Sequence, residues 1–493
     1  MAQPARVAVV GAGMAGLACA HALLVSRPGL DVTVYEGSPV LGGKLARGEV
    51  AGQLVDLGAE SMLSRRPEAV ALAREVGLAD RVVHPAVSGA AIWTRRSLKP
   101  LPATVMGIPV DVASAAESGL LSQAGATRAE AEMRLPSLDL ADDVGVGALV
   151  AQRLGDEVRD RLVEPLLGGV YAGRSDQISL FAALPQLVGP IRELGGLLAA
   201  ARAVVGGGLG DGPGDGTDAG QAPAPVFAGL VGGMGQLPEA VAAEVVRRGG
   251  SVVLDARVRE LTRNRAVGSE SGVEGGSSPG WWLVMGSAAA PSVTTADVVV
   301  LATPAAPAAR LLRDVAPGAA RELAAIEYAS VAIVTMAWQS DRMPALEGTG
   351  FLVPPVDGRL VKAATFSSQK WAWLRGSTAF VRCSVGRHRD EVSLQRSDGE
   401  LVEAAAAELR EAIGVPATPL DARVTRWGGG LPQYAVGHLD RMSRLRSAFD
   451  AARGIDVCGA VYGGVGFPAV IASAREAATR VLAELDAAAT MEA

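Results

Sequence analysis

The apolar run Val7-Ala8-Val9-Val10, the small-residue stretch that continues to about Ser26, and the alternating Val32-Thr33-Val34-Tyr35 predict a strand, a helix and a second strand at the start of the chain. Gly11-Ala12-Gly13-Met14-Ala15-Gly16 joins the first two. Gly11 permits a sharp turn, Gly13 lets the backbone approach a pyrophosphate without a Cβ in the way, and Gly16 lets the helix pack closely on the strand. Phosphate oxygens at such a helix start meet unpaired N–H groups and the positive end of the dipole. Glu36 follows the last glycine by about 20 residues, where a carboxylate can accept hydrogen bonds from two ribose hydroxyls. The combination predicts a dinucleotide site; the competing reading is a glycine-rich turn in an ordinary βαβ unit.

Downstream, a turn-rich loop carries Gly37, Gly42, Gly43 and Lys44, and 54–61 reads as a short strand running into a tight turn. A helix over 68–76 starts just after Arg65 and Arg66, two cations that oppose its dipole and so invite an anion. Residues 82–104 predict two strands joined at Thr94-Arg95-Arg96, and 105–205 predict helices, among them 144–154, 157–167 and 194–204. Within them, Glu164 to Gly173 interrupts the helical period with a proline and paired glycines, a break that faces a ligand in this reading. The Gly-, Asp-, Ala- and Pro-rich tract 206–224 predicts a disordered linker. A βα unit then runs from Phe227 to about Arg248, expected to belong with the first domain, followed by strands at 251–254 and from Val258, a hairpin with a long tip over 264–280, and a buried parallel strand over 296–304. Strand patterns at 331–338, 350–353, 363–366, 379–385 and 422–427, with a helix over 401–413, predict an antiparallel second layer. The chain closes with a strand at 454–459, a glycine loop and a helix over 469–485.

With 493 residues the chain is long enough for two or three domains, and a net charge of -6 offers nothing that would draw it to nucleic acid. Cys19, Cys383 and Cys458 lie far apart in apolar settings, which predicts buried free thiols; His21, His84, His388 and His438 show no ligand spacing, so no metal site is expected. A strand begins at once, with no basic segment and apolar core before it, and no apolar run reaches the ~18 residues of a membrane span. A soluble, cytoplasmic protein is the expectation. In the helical stretch Gly119-Leu120-Leu121 and 194–198 are the apolar candidates for peripheral membrane contact.

GAGMAG with Glu36, GGK at Gly42–Lys44, DLGAES at Asp56–Ser61, GGMGQLP at Gly232–Pro238, ATP at Ala302–Pro304 and the terminal CGAVYGGVGFPAVI together resemble the FAD-dependent amine oxidase superfamily. EPLLGGVYAG at Glu164–Gly173 and LPQYAVGH at Leu431–His438 resemble its porphyrinogen oxidase branch more narrowly, in particular the coproporphyrinogen III oxidases of Gram-positive haem synthesis. The resemblance spans nearly the whole chain. It implies an α/β fold: a Rossmann-like FAD-binding domain over 1–80, 225–310 and 440–493, an α+β substrate domain over 81–104 and 311–439, a helical insertion over 105–205, and the 206–224 linker. It implies non-covalent FAD held by Gly11, Ala12, Gly13, Met14, Ala15, Gly16, Glu36, Gly37, Gly43, Lys44, Gly58, Ala59, Glu60, Ser61, Val258, Trp427, Val465, Gly466 and Phe467. Dioxygen would be the acceptor, coproporphyrinogen III the substrate and hydrogen peroxide a product, with a ferrochelatase as the pathway's receiving partner.

The glycine fingerprint occurs once, so a nicotinamide nucleotide has no evident site and an oxidase is favoured over a reductase. A tetrapyrrole bearing carboxylates needs a large, mostly apolar pocket with a few cations. Arg66 is the leading candidate, then Arg65 and Lys44, with Gly169 facing the substrate; Ser88-Gly89-Ala90 stands where related enzymes can carry a basic residue. No side chain stands out as an obligatory base, which suits cofactor-centred chemistry in which the protein positions the substrate and excludes water. Tyr171 and Tyr434 are catalytic candidates whose competing role is packing with a satisfied hydroxyl. The rival functions are protoporphyrinogen IX oxidation, amine oxidation or carotenoid desaturation on the same scaffold, and a non-enzymatic escort protein.

Overall fold

A computed structural model of the chain describes residues 4–207, 225–264, 280–287, 289–449 and 452–492. Its centre is a five-stranded parallel sheet in the order Ser251–Val253, Asp31–Tyr35, Arg6–Val10, Val298–Leu301, Ile455–Val457, which brings the two ends of the chain into one layer. Side chains alternate across a strand, so Val7 and Val9 face one side and Ala8 and Val10 the other. The first side is covered by the Met14–Ser26, Gln236–Arg247 and Phe467–Glu492 helices through Leu17, Leu23, Val241, Val245, Ile471 and Val481. The Met14–Ser26 helix is apolar nearly all round and buried accordingly. The second side is covered by helices Ala305–Leu312, Pro317–Ala324 and His438–Phe449 and by a three-stranded antiparallel sheet of Val258–Asn264, Gly280–Ser287 and Ala290–Ala296. The hairpin tip expected over 264–280 falls at 265–279, outside the described residues.

A mixed seven-stranded sheet forms the second layer, in the order Asp421–Pro432, Tyr328–Gln339, Thr378–Val385, Val361–Phe366, Gly350–Leu352, Ala91–Thr94, Ser97–Pro100. It is antiparallel except where Phe351 pairs with Ala91. Helices from Val112–Glu117 to Leu197–Gly206 share a separate apolar core with Ile92, Tyr171 and Tyr434.

Several local expectations are corrected. Phe227–Leu230 pairs with Met62–Leu63 and Val82–Val83 in a separate three-stranded sheet, while the helix after it, Gln236–Arg247, packs on the five-stranded one. The expected interruption at Glu164–Gly173 is instead a π-helical turn at Arg159–Val163 that runs on into Glu164–Tyr171; Pro165 directly follows the π-turn, where the regular hydrogen-bond ladder is already interrupted and its missing N–H is tolerated. The helix expected over 194–204 is two, Pro185–Leu194 and Leu197–Gly206, hinged at Gly195 with φ of 71°. Leu120 and Leu121, expected to be exposed, are buried in the helical core, whereas Leu194 is exposed. Of the 206–224 tract, 208–224 lies outside the described residues. Among the described residues no helix is long and apolar enough to cross a membrane. Cys19, Cys383 and Cys458 are buried free thiols.

Candidate cofactor and substrate site

At the carboxyl end of the Arg6–Val10 strand each glycine of the turn has a distinct geometric reason. Gly11 has φ of 109°, and a Cβ there would approach Ala302 O to 3.2 Å; a Cβ on Gly16 would lie 1.9 Å from Gly11 O. A Cβ on Gly13 would meet no other part of the chain within 4 Å. The backbone at Gly13 is therefore open to a ligand while its neighbours are pressed against protein. No side chain caps the Met14–Ser26 helix and no acidic residue occupies its first turn, so its leading N–H groups remain available to an anion. Glu36 reaches back from the second strand: its Oε2 accepts the Ala12 N–H at 2.8 Å and its Oε1 the Ser38 N–H at 2.9 Å. These bonds set the loop's shape and leave acceptor lone pairs over. Ala256 N donates to Glu36 O, which puts Val258 close behind this turn, and Gly37 abuts Arg257.

Gly42 bridges to Gly13, and a Cβ on Gly43 would lie 3.3 Å from Gly13 Cα, so the paired glycines exist to stack one loop on the other. Lys44 is accessible to solvent yet walled by protein on most sides, and this partial burial holds its ammonium below the ordinary lysine range. Its carbonyl accepts the Ala59 N–H and would meet a Cβ on Gly58 at 2.0 Å. Gly58 in turn touches Trp427, whose Nε1 donates to Leu57 O. Ala59 is exposed, but the Glu60 carboxylate turns away into an ion-pair cluster with Lys370 Nζ at 2.8 Å and Arg382 at 2.7 Å, with Ser367 also donating and Ser61 accepting from Lys370. Burial would raise this carboxyl; the two cations outweigh it and hold it at about 2. The cluster ties the 56–61 turn to the seven-stranded sheet.

Trp427 also packs with Ala172, Ala329 and Val331, which carries the line of contacts from the glycine loops to the end of the Glu164–Tyr171 helix. There Gln433 Nε2 donates to Tyr171 O at 2.8 Å, Ser179 N to Tyr434 O, and His388 N to Ala172 O. From the other side, the turn before the Phe467–Glu492 helix closes in: the Tyr434 hydroxyl donates to Ala460 O, and Gly459 lies against Ala15 at the start of the first helix. The turn that precedes the Phe467 helix thus comes against the start of the Met14 helix, on which the Gly42-Gly43 loop is also stacked. Beyond Gly168 and Gly169 lies a small cleft, with room for about one water, lined also by Glu164, Pro165, Gly173, Val353, Pro355, Lys362 and Arg387.

The sequence profile described as flavin containing amine oxidoreductase matches residues 14–482. The chain belongs to this family. Among curated relatives, the coproporphyrinogen III oxidase of Mycobacterium tuberculosis is 36% identical over 98% of this chain and 99% of its own; that of Bacillus subtilis is 28% identical over 97% and 98%. The chloroplastic protoporphyrinogen oxidase 1 of Arabidopsis thaliana is 26% identical over 96% and 87%. Of solved structures, an Exiguobacterium protein provisionally assigned as a protoporphyrinogen oxidase superposes with a TM-score of 0.82 at 30% identity, covering 99% of this chain and 100% of its own. As a flavin containing oxidoreductase the protein is an enzyme whose cofactor is FAD, and the open backbone at Gly13, the uncapped helix start and the glycine-on-glycine contact at Gly43 fit that cofactor's pyrophosphate.

In this oxidoreductase Tyr171 and Tyr434 pack together at 5.6 Å between ring centroids, and Tyr434 stacks on His438 at 4.1 Å. Burial pushes both phenols well above their ordinary range and His438 down to about 4. All three are therefore neutral near pH 7, and Tyr434 and His438 are already bonded to the main chain of Ala460 and Val461. Arg66 pairs with Glu68 at 2.5 Å, and Arg65 lies exposed in the same turn; neither lines the cleft at Gly169. The cations that do, Lys362 and Arg387, were missed from sequence. A lysine inside an otherwise apolar strand pattern was the one available signal.

Proposed function

We propose that the protein oxidises coproporphyrinogen III to coproporphyrin III with O2 as acceptor, releasing H2O2, as a cytoplasmic step of haem synthesis whose product passes to a ferrochelatase. The observation that carries this reading is that the two segments narrowing the resemblance, Glu164–Gly173 and Leu431–His438, bond directly to each other through Gln433 and Tyr171, beside the loops that fit FAD. Their match to full-length relatives bearing that name supports it. FAD, when bound, supplies the electron acceptance. The chain's share is to bind and exclude: Gly13 and the Met14 helix start hold the pyrophosphate, Glu36 the ribose, and the Val465-Gly466-Phe467 turn offers N–H donors toward the ring. The apolar walls around Tyr171 and Trp427 keep water from the reacting carbon.

The test is turnover of coproporphyrinogen III and protoporphyrinogen IX by the flavin-loaded protein, following porphyrin fluorescence and peroxide with and without O2. A kcat/KM at least about 10-fold higher for coproporphyrinogen is expected if one charge-assisted contact to an extra carboxylate decides. Equal efficiencies would transfer the assignment to protoporphyrinogen; no porphyrin from either, with flavin retained, would overturn both.

A further inference from the structure

Lys362 is only 6% exposed, and no side chain or carbonyl among the described residues accepts a hydrogen bond from its Nζ. Val361 pairs with Val385 and Ala363 with Ser384, so Lys362 is the extra residue of a β-bulge between them. A bulge re-aims its side chain off the regular alternation of the strand. Here it presents the lysine to the cleft beneath Gly168 and Gly169. The nearest charged neighbour acting on Lys362 is another cation, Arg387, which shares the cleft and whose side chain donates to Val353 O at 3.4 Å. Asp390, Glu164 and Glu408 lie near enough to favour the Arg387 charge, but among the described residues none forms an ion pair with it. Glu164, the one carboxylate of the cleft lining, is committed to the Ser175 N–H at 2.9 Å. These carboxylates act on Arg387, whereas the one charge acting on Lys362 is a cation; a buried ammonium in that setting is costly, and a bound anion removes that cost.

We infer that Lys362, with Arg387 behind it, is a carboxylate-binding subsite that holds one acid side chain of the substrate against the Gly168–Gly169 segment. The inference rests on the tetrapyrrole reading for the identity of that acid, though not for the existence of the site. The cleft has room for about one water-sized group, which admits the oxygen of a carboxylate and not a macrocycle, so the ring stays on the side of Gly169 nearer the cofactor loops. Placing the arm in this way would fix which carbon of the ring faces the reactive centre.

Lys362→Met and Lys362→Arg in the flavin-loaded protein separate the outcomes. Coproporphyrin III titrations, read by fluorescence quenching, should give a Kd about 10- to 100-fold higher for Lys362→Met, with most of the affinity restored in Lys362→Arg. Sodium propionate should raise the melting temperature of wild type and not of Lys362→Met. Flavin content should be unchanged, and without ligand Lys362→Met should melt at or above the wild-type temperature, which a purely structural lysine would not do. If wild type ignores coproporphyrin III but is still stabilised by propionate through Lys362, the substrate assignment fails and the subsite stands. Equal porphyrin affinity and equal propionate response in wild type and Lys362→Met would overturn the subsite.

Discussion

Two glycines of one turn respond differently to the same added methyl group. Gly16→Ala forces a Cβ to 1.9 Å from Gly11 O and should cost about 3 kcal/mol of stability along with the flavin. Gly13→Ala meets no protein and has an ordinary φ of -71°, so the apoprotein should unfold as wild type does while FAD affinity drops about 10-fold or more. Thermal unfolding beside flavin absorbance distinguishes the two; a normal flavin content in Gly13→Ala would mean the pyrophosphate lies elsewhere. Lys362 gives a pH signature at the same scale. Burial, reinforced by Arg387, lowers its pKa to about 7, against roughly 10.4 in an unfolded chain. Between those values the unfolded state binds more protons than the folded one, so this lysine makes stability rise with pH. The urea midpoint of wild type relative to Lys362→Met should climb from pH 7 to pH 9.5; a constant difference would show that the lysine is not buried with its charge.

At the scale of elements, ionic and main-chain tethers join pieces that hydrophobic packing alone would leave loosely related. Asp56 accepts the Met234 and Gly235 N–H groups at 2.9 and 3.1 Å, binding the 232–238 turn to the 53–56 strand, although burial still lifts its pKa to about 6. Glu60 does the equivalent for the seven-stranded sheet. Glu60→Ala strands Lys370 and Arg382 in a buried setting and should cost about 3 to 5 kcal/mol. Its carboxyl titrates lower when folded, so its contribution is full above about pH 4.5 and is lost as pH falls toward 2. Acid unfolding of Glu60→Gln should show a shallower loss over that window; an identical acid profile would remove Glu60 from the account.

The whole molecule closes through its ends. The Arg6–Val10 and Ile455–Val457 strands flank the same neighbour, and the Phe467–Glu492 helix packs along Met14–Ser26 with Ile471 and Val481 fully buried. Each such side chain is worth about 1.5 to 3 kcal/mol, so losing the set exceeds the ~5 to 15 kcal/mol margin of a typical fold. Truncation after residue 453 should therefore yield no soluble, flavin-bearing protein, as judged by size-exclusion chromatography with absorbance at flavin wavelengths. A yellow monomer would show that the remaining strands suffice.

The βαβ start, the once-occurring fingerprint and the α/β class were legible in the sequence because their causes are local: a positive φ, a missing Cβ and a two- or 3.6-residue period act within a few residues of where they are written. The amphipathic strands of the second sheet were legible for the same reason. Tertiary structure alone decided which partners those elements chose. Phe227–Leu230 read as the strand of a βα unit, but its partners, Met62–Leu63 and Val82–Val83, and the place of Ser251–Val253 at the edge of the parallel sheet, appear only in the fold. Glu60 read as a ligand contact within its motif, yet Lys370 from a distant helical turn and Arg382 from a distant strand claim its carboxylate. Lys362, Arg387 and Gly169 share a cleft because a bulge, a loop and a helix end meet there. The register of a sheet and the burial of a charge are properties of the assembled chain, set by which surfaces exclude water together, and no single segment carries them.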